Sequence, residues 1–127
     1  SKFDIGQEVY FGNIDWDEVL KMIKSRRIAF SELPKYPSVR RDLALLLDRS
    51  VKFSQVREIA FRTEKNILQD VTLFDVYESD NLGQNKKSYA VSFILRDDLK
   101  TMTDKTIEKV MSNLIRSYEK ELNAQIR

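Results

Sequence analysis

The side chains of this sequence that could do chemistry are carboxylates, hydroxyls, tyrosines and the cations of lysine and arginine. The 127 residues include no histidine and no cysteine, so the usual general bases and covalent nucleophile–base pairs are missing. Paired carboxylates occur at Asp97-Asp98, in a polar turn, and at Glu119 with Glu121, on the polar side of a helical pattern. We interpret both pairs as structural. We therefore predict a binding fragment that is no enzyme by itself.

The composition also limits the kinds of ligand site. The three glycines stand apart at positions 6, 12 and 83, so neither common glycine-rich phosphate loop is present. Without cysteine or histidine, disulfides and thiolate or imidazole metal sites are excluded, and residence in the cytoplasm is permitted. No apolar run approaches the ~20 residues that cross a membrane, and no leader pattern precedes the first predicted helix. Because the first residue is serine and not methionine, we expect a piece of a longer chain.

The charge is unevenly distributed. Residues 21–65 contain twelve lysines and arginines against five carboxylates, whereas residues 1–20 contain one against five. A basic middle third is compatible with a partner that carries phosphate. On charge alone, however, a solvated surface rich in lysine and arginine explains the pattern better.

The stretch Tyr36–Asp48 is the element around which the other elements are arranged. Pro37 favours an extended residue before it, so Tyr36-Pro37 is a turn that leads into a strand. Alternate residues of a strand point to opposite faces. One face is apolar at its centre and carries Arg41, Leu43, Leu45 and Leu47. The other face is small and polar and carries Arg40, Asp42, Ala44 and Leu46. The pattern predicts a strand covered by helices on one side and open on the other.

The remaining periodicities complete the fold. Helical spacing predicts a helix from Phe53 to a stop at Asn66, and a long helix between a cap at Thr103 and Asn123. Alternation predicts strands over Val71–Glu78 and Ser88–Arg96, with a brief last strand in Ala124–Arg127. The order strand, helix, strand, strand, helix, strand predicts an α+β fold, the ferredoxin-like split βαβ (βαββαβ). Its four-stranded antiparallel sheet has both helices on one face.

Residues 1–30 are predicted to be a linker or adaptor from a preceding domain, and residues 31–127 the ferredoxin-like domain. The adaptor begins with an extended piece. A short helix capped by Asp15 follows it, with Glu18 in the reciprocal position of a capping box. The boundary between the adaptor and the domain is placed at residues 30–31 because Pro34 and Pro37 exclude a helix in the segment that follows.

Alternation also predicts which side chains lie on the open side of the sheet. We expect Phe74 and Val76 in the core, and Leu73, Asp75 and Tyr77 on the open side. The other outward positions are Ser88, Ala90, Ser92 and Ile94 on the third strand, and Gln125 and Arg127 on the last.

A sheet face with an aromatic ring, hydroxyls and arginines is typical of proteins that bind unpaired nucleotides. Asp75 would repel phosphate, so it suits contact with a base edge. An ordinary surface tyrosine beside a hairpin, with solvated arginines, accounts equally well for the pattern.

Four motifs resemble a known family in the same order and at compatible spacings. They are YPSVRRDLAL at Tyr36–Leu45, LFDVY at Leu73–Tyr77, KKSYA at Lys86–Ala90, and AQIR at Ala124–Arg127. Over about residues 30–127 the chain resembles the ferredoxin-fold anticodon-binding domain that ends the beta subunit of bacterial phenylalanyl-tRNA synthetases.

The resemblance implies specific RNA contacts. The family's base-stacking tyrosine falls on Tyr77, its serine contact on Ser88, and its terminal arginine on Arg127. Alternation had already placed these three positions on the open side. Arg40 and Asp42 of the first-strand motif, and Asp75 beside Tyr77 on the open side, complete the set. The predicted tRNA-binding residues are Tyr77, Ser88, Arg127, Arg40, Asp42 and Asp75.

The resemblance also implies the partners. The ligand would be the anticodon stem-loop of phenylalanine tRNA, and the assembly a cytoplasmic heterotetramer of two alpha and two beta subunits, with no membrane partner. Aminoacylation with ATP and Mg²⁺ would belong to the alpha subunit of the whole enzyme. We expect no cofactor in this fragment.

Two other functions fit the same topology. A small-molecule regulatory domain typically has a glycine in the turn after the first strand, and the turn Asp48–Lys52 has none. A protein–protein assembly module would have apolar outward positions, and only Leu46, Leu73 and Ile94 fit. Binding of tRNA is favoured over both.

Overall fold

The computed structural model describes residues 5–24, 29–30 and 32–127, which belong to two units divided between Glu32 and Leu33. In the first unit, helix α1 spans Trp16–Ile23. The Oδ1 atom of Asp15 accepts hydrogen bonds from the backbone N–H groups of Asp17 (3.0 Å) and Glu18 (3.2 Å). The capped helix after Asp15 is therefore as predicted.

The second unit contains the sheet and two longer helices. In chain order its elements are β1 (Val39–Asp48), α2 (Phe53–Thr63), β2 (Leu68–Tyr77), a short 3₁₀ turn (Asp80–Leu82), β3 (Lys86–Leu95), α3 (Asp104–Leu122) and β4 (Gln125–Ile126). The strands lie in the order β2-β3-β1-β4, and every neighbouring pair is antiparallel. This order confirms the predicted ferredoxin-like βαββαβ fold.

The core lies between the helices and one face of the sheet. Its largest fully buried side chains come from both layers: Leu45 and Leu47 of β1, Val91, Phe93 and Leu95 of β3, Val56 of α2, and Leu114 and Tyr118 of α3. The hydroxyl of Tyr118 donates to the carbonyl oxygen of Val56 at 3.2 Å. Burial raises the pKa of this hydroxyl, so Tyr118 stays a neutral donor between the two helices. The predicted apolar face of β1 is thus the core face.

Helix α2 ends earlier than its apolar periodicity predicts. Its last residue is Thr63, and Glu64 already has an extended backbone. The Oε1 atom of Glu64 accepts from the backbone N–H groups of Asn66 (2.9 Å) and Ile67 (3.2 Å). The carbonyl oxygen of Ile67 in turn accepts from the N–H of Arg96 at 2.8 Å. Ile67 therefore belongs to the approach to β2, and the predicted helix end at Asn66 is wrong by three residues.

Strand β2 contains a β-bulge that changes which face its side chains occupy. Leu73 pairs with Val91, whereas Asp75 pairs with Ala90, so Phe74 is an extra residue opposite a single step of β3. A bulge resets the alternation, because two residues on one strand oppose one on its partner. Leu73 consequently packs against the core, and Phe74 is 53% exposed. The expectations of Leu73 outward and Phe74 in the core are both wrong.

The connection from α3 to β4 depends on Asn123. This residue has a left-handed backbone with φ of 50°, which asparagine adopts more readily than most residues. The next N–H, that of Ala124, donates to the carbonyl oxygen of Tyr118 at 3.2 Å. The chain thereby reverses and lays Gln125 beside Leu46 on the edge of β1.

Candidate nucleic-acid interface

The side of the sheet that faces away from α2 and α3 is here called the open face. Strand register arranges its side chains in rows across the sheet. The row nearest the β2–β3 hairpin contains Tyr77, Ser88, Leu46 and Gln125. The next row contains Asp75, Ala90 and Ala44, and the backbone N–H of Arg127 donates to the carbonyl oxygen of Ala44 at 3.0 Å. Two further rows follow: Thr72, Ser92 and Asp42, then Asp70, Ile94 and Arg40.

All six residues of the predicted tRNA-binding set belong to these rows. Tyr77, Ser88 and Asp75 lie together near the hairpin, and the chain end brings Arg127 to the same half of the face. Arg40 and Asp42 lie at the other end of β1. The set therefore extends over all four rows, with Tyr77, Ser88, Asp75 and Arg127 in the two rows nearest the hairpin and Asp42 and Arg40 in the other two. The row of Asp75, Ala90 and Ala44 is called the alanine row below.

The backbone around Tyr77 is anchored to the turn that follows β1. The guanidinium of Arg49 forms an ion pair with Glu78, its Nε lying 3.0 Å from Oε2. The backbone N–H of Arg49 donates to the carbonyl oxygen of Asn85 at 2.9 Å. The side-chain amide of Asn85 donates to Asp48 at 3.0 Å. These contacts attach the turn after β1 to both sides of the β2–β3 hairpin. They therefore fix the backbone that carries the half-exposed ring of Tyr77.

Ser88 lies at the bottom of the open face, between Tyr77 and Leu46. Only 8% of its surface is exposed. A ligand atom must therefore come down beside the Tyr77 ring to reach the Ser88 hydroxyl. This geometry suits the edge of a flat ring stacked on Tyr77 better than a bulky phosphate.

Arg40 and Asp42 are linked at the other end of the face. The Nε of Arg40 donates to Oδ1 of Asp42 at 3.0 Å, and both side chains are about half exposed. The hydrogen bond from Arg40, and then one from Ser92, hold the pKa of the Asp42 carboxyl below its ordinary value. The guanidinium of Arg40 also lies 5.4 Å from the ring centroid of Phe74. Phe74 is thus a second aromatic residue of the open face, which alternation in the sequence did not predict.

The lowered pKa of Asp42 gives a measurable pH effect. We expect the Arg40→Gln variant to titrate Asp42 at a higher pH than the wild-type chain, because the largest stabiliser of the carboxylate is removed. The folded pKa lies below the unfolded one, so the stabilisation is complete above the unfolded value of about 4 and is lost as the pH falls through the folded value. A carbon-detected NMR titration of the Asp42 carboxyl measures both midpoints. Equal midpoints would show that Arg40 does not hold Asp42 in solution.

Metal-binding clusters and membrane-spanning helices are lacking in the described residues. Across residues 5–24, 29–30 and 32–127, no cluster of three or more carboxylates could hold a metal ion. Within the same ranges, none of the helices combines the length and the apolar character needed to span a bilayer. The open face, which holds all six residues of the predicted tRNA-binding set, is the candidate site.

Comparison with known proteins identifies the family of the chain. The family model of the ferredoxin-fold anticodon binding domain matches residues 34–127. The chain is 50% identical over 125 residues to the phenylalanine–tRNA ligase beta subunit of Bacteroides thetaiotaomicron, covering 98% of this chain and 15% of that protein. Proteins of the same name from Porphyromonas gingivalis and Clostridium acetobutylicum are 46% and 33% identical over 126 and 125 residues, covering 99% and 98% of this chain. The chain spans 15–16% of the length of these relatives. The chain belongs to the family of ferredoxin-fold anticodon-binding domains.

Proposed function

We propose that this chain binds the anticodon stem-loop of phenylalanine tRNA on its open face, as part of the beta subunit of a phenylalanine–tRNA ligase. One observation carries the proposal: Tyr77 and Ser88 lie side by side on a sheet face that no helix of the unit covers. Family membership and the printed names of the relatives support the choice of ligand. The role of each residue below is part of the proposal.

Tyr77 provides the stacking surface. Its ring is 49% exposed, and an unpaired base can lie against it while the base edge points down towards Ser88. Stacking of a base on an aromatic side chain contributes about 1–3 kcal/mol by alanine substitution. Asp75, one row away, accepts hydrogen bonds from base N–H groups. A carboxylate repels phosphate, so its presence beside Tyr77 favours recognition of a base over tracking of the backbone.

The arginines bind the phosphates that accompany the bases. Arg127 belongs to the half of the face that holds Tyr77, and Arg40 to the other half. A loop laid over the alanine row would bring its backbone near both guanidinium groups. Because each neutralised phosphate releases counterions, the affinity falls steeply with salt concentration.

The remaining steps of the ligase reaction lie outside this chain. Aminoacylation with ATP and Mg²⁺ takes place in the alpha subunit of a cytoplasmic assembly of two alpha and two beta subunits. In this proposal the contribution of the fragment is to bind RNA.

The proposal is tested with Tyr77→Ala. We expect this variant to bind a labelled phenylalanine-tRNA anticodon stem-loop more weakly by about 1–3 kcal/mol, because one base loses its stacking surface. Fluorescence anisotropy titrations at low salt measure both dissociation constants. A hairpin with the same stem and a scrambled loop measures the preference for the correct loop, which the wild-type chain shows and Tyr77→Ala loses.

Tyr10→Ala is the matched control. Tyr10 is also exposed, at 88%, but lies in the first unit and not on the sheet. The Tyr10→Ala variant should bind both hairpins as the wild-type chain does. If the wild-type chain binds the two hairpins equally and Tyr77→Ala changes neither affinity, the attraction is nonspecific charge. The open face would then be better explained as a surface for assembly with another protein.

A further inference from the structure

Phe74 occupies an unusual position for a large apolar residue. The bulge between Leu73 and Asp75 turns it out of the core, and more than half of its surface is exposed. Apolar contacts do not explain this position, since Phe74 is neither a core residue nor packed at the edge of the core. Its described partner is the guanidinium of Arg40.

Arg40 reaches Phe74 from two strands away. It lies on β1, whereas Phe74 lies on β2, and β3 runs between them. The guanidinium therefore extends across the central strand of the open face to approach the ring at 5.4 Å from its centroid. Asp42 holds the Nε of the same group at 3.0 Å. The Phe74 ring and the Arg40 guanidinium together form an aromatic and cationic surface on the open face.

We propose that Phe74 and Arg40 form a second base-stacking site, which takes an unpaired nucleotide close in the loop to the one stacked on Tyr77. This inference rests on the proposed function, since it assigns a further residue to the same RNA-binding face. Both an aromatic ring and a guanidinium plane stack on bases. The Arg40 cation also attracts the phosphate that any such base carries with it.

The spacing of the two rings fits one loop. Phe74 and Tyr77 are three residues apart on the same strand, which places their Cα atoms within about 10 Å at a rise of ~3.3 Å per residue. Bases bound on the two rings must therefore come from nucleotides near each other in sequence. An apolar protein surface fits less well, because it would cover the charges of Arg40, Asp42 and Asp75 without replacing their water.

The second site should add affinity but little base discrimination. A phenylalanine ring has no hydrogen-bonding group, and stacking tolerates every base. Recognition of base edges belongs instead to the Tyr77 end of the face, where the Ser88 hydroxyl can donate a hydrogen bond and the Asp75 carboxylate accepts one. Loss of Phe74 should therefore weaken binding of the anticodon loop without changing which base is preferred at any position.

The test uses the 127-residue chain and anticodon stem-loops that carry 2-aminopurine at one loop position at a time. The variants are Phe74→Leu, which keeps an apolar side chain, and Arg40→Lys, which keeps the charge but loses the plane. We expect each to bind about fivefold or more weakly. We also expect each to remove the 2-aminopurine fluorescence change at one loop position, close to but different from the position that depends on Tyr77.

Arg57→Lys is the matched control. The guanidinium of Arg57 lies 5.2 Å from the ring centroid of Phe61, so it forms the same kind of pair on α2, away from the open face. Arg57→Lys should bind as the wild type does. Far-UV circular dichroism confirms that each variant is folded.

The outcomes separate the two proposals. If the wild-type chain prefers the correct loop and Tyr77→Ala loses that preference, while Phe74→Leu and Arg40→Lys bind as the wild type, the second site is wrong and the proposed function stands. The second site is also wrong if Arg40→Lys weakens binding no more than Arg57→Lys. If the wild-type chain shows no preference for the correct loop, the proposed function fails, and the second site with it.

Discussion

Replacement of Phe93 by alanine will lower the free energy of unfolding by about 3–5 kcal/mol. Phe93 is fully buried on β3, the strand between β2 and β1. Its ring centroid lies 6.3 Å from that of Tyr118 on α3, so the side chain joins the sheet to the helical layer. Truncation removes the apolar contacts and leaves a cavity that the paired strands on both sides cannot fill. The loss is a large part of the ~5–15 kcal/mol by which folded domains are stable.

Phe74→Ala is the matched control for this prediction. It makes the same truncation on the adjacent strand, but at a residue that the bulge exposes. We expect a loss of about 1 kcal/mol or less, since the contact given up is one exposed cation–π pair. Urea denaturation should be followed by far-UV circular dichroism, because the single tryptophan, Trp16, lies in the first unit. Equal losses for the two variants would contradict the placement of Phe74 on the open face.

The sequence predicts the core and open faces of β1 and β3 correctly because their alternation is uninterrupted. Every residue of β1 from Val39 to Asp48 pairs with β3 in one unbroken register. Such a strand carries its pattern of burial in its own residue order, so Leu45 and Leu47 could be assigned to the core without knowledge of a partner. The same holds for Val91 and Phe93.

The face assignments on β2 could not be predicted in the same way. A bulge is a mismatch in the number of residues between two strands, and LFDVY alone does not say where it lies. Asp75 and Tyr77 lie after the bulge and occupy the face that alternation assigned to them, whereas Leu73 and Phe74 exchange places. The early end of α2 could not be predicted from apolar periodicity either. The Glu64 carboxylate accepts from the backbone N–H groups of Asn66 and Ile67, and periodicity takes no account of such a contact.

The same bulge determines what the candidate site contains. Without it the open face would have one aromatic ring, Tyr77, and the apolar side chain of Leu73. With it the face has two rings and a guanidinium in contact with one of them. The resemblance to a family leads to Tyr77, but only the paired strands reveal Phe74. The roles of both residues in RNA binding stay predictions.

We expect Ala44→Glu to weaken binding of the anticodon stem-loop by about 3–4 kcal/mol at low salt, since like charges brought together in an interface cost several kcal/mol. Ala44 lies in the middle of the open face, with Ala90 on one side and the backbone of Arg127 on the other. A carboxylate there repels the phosphates of the loop and competes for the Arg127 guanidinium. The longer side chain also fills the shallow row over which the loop is proposed to lie.

The matched control is Ser112→Glu, which makes the same change of charge at an exposed position of α3. The two variants are titrated against the labelled stem-loop at low and at moderate salt, with far-UV circular dichroism to compare their folds. Ala44→Glu should be far weaker than Ser112→Glu, and the part of the difference due to charge should shrink as salt screens it. If both variants lose affinity equally, RNA is attracted by the net charge of the chain, and the open face is not where it binds. A loss confined to Ala44→Glu places the loop on the alanine row, because at equal net charge only the position of the carboxylate differs.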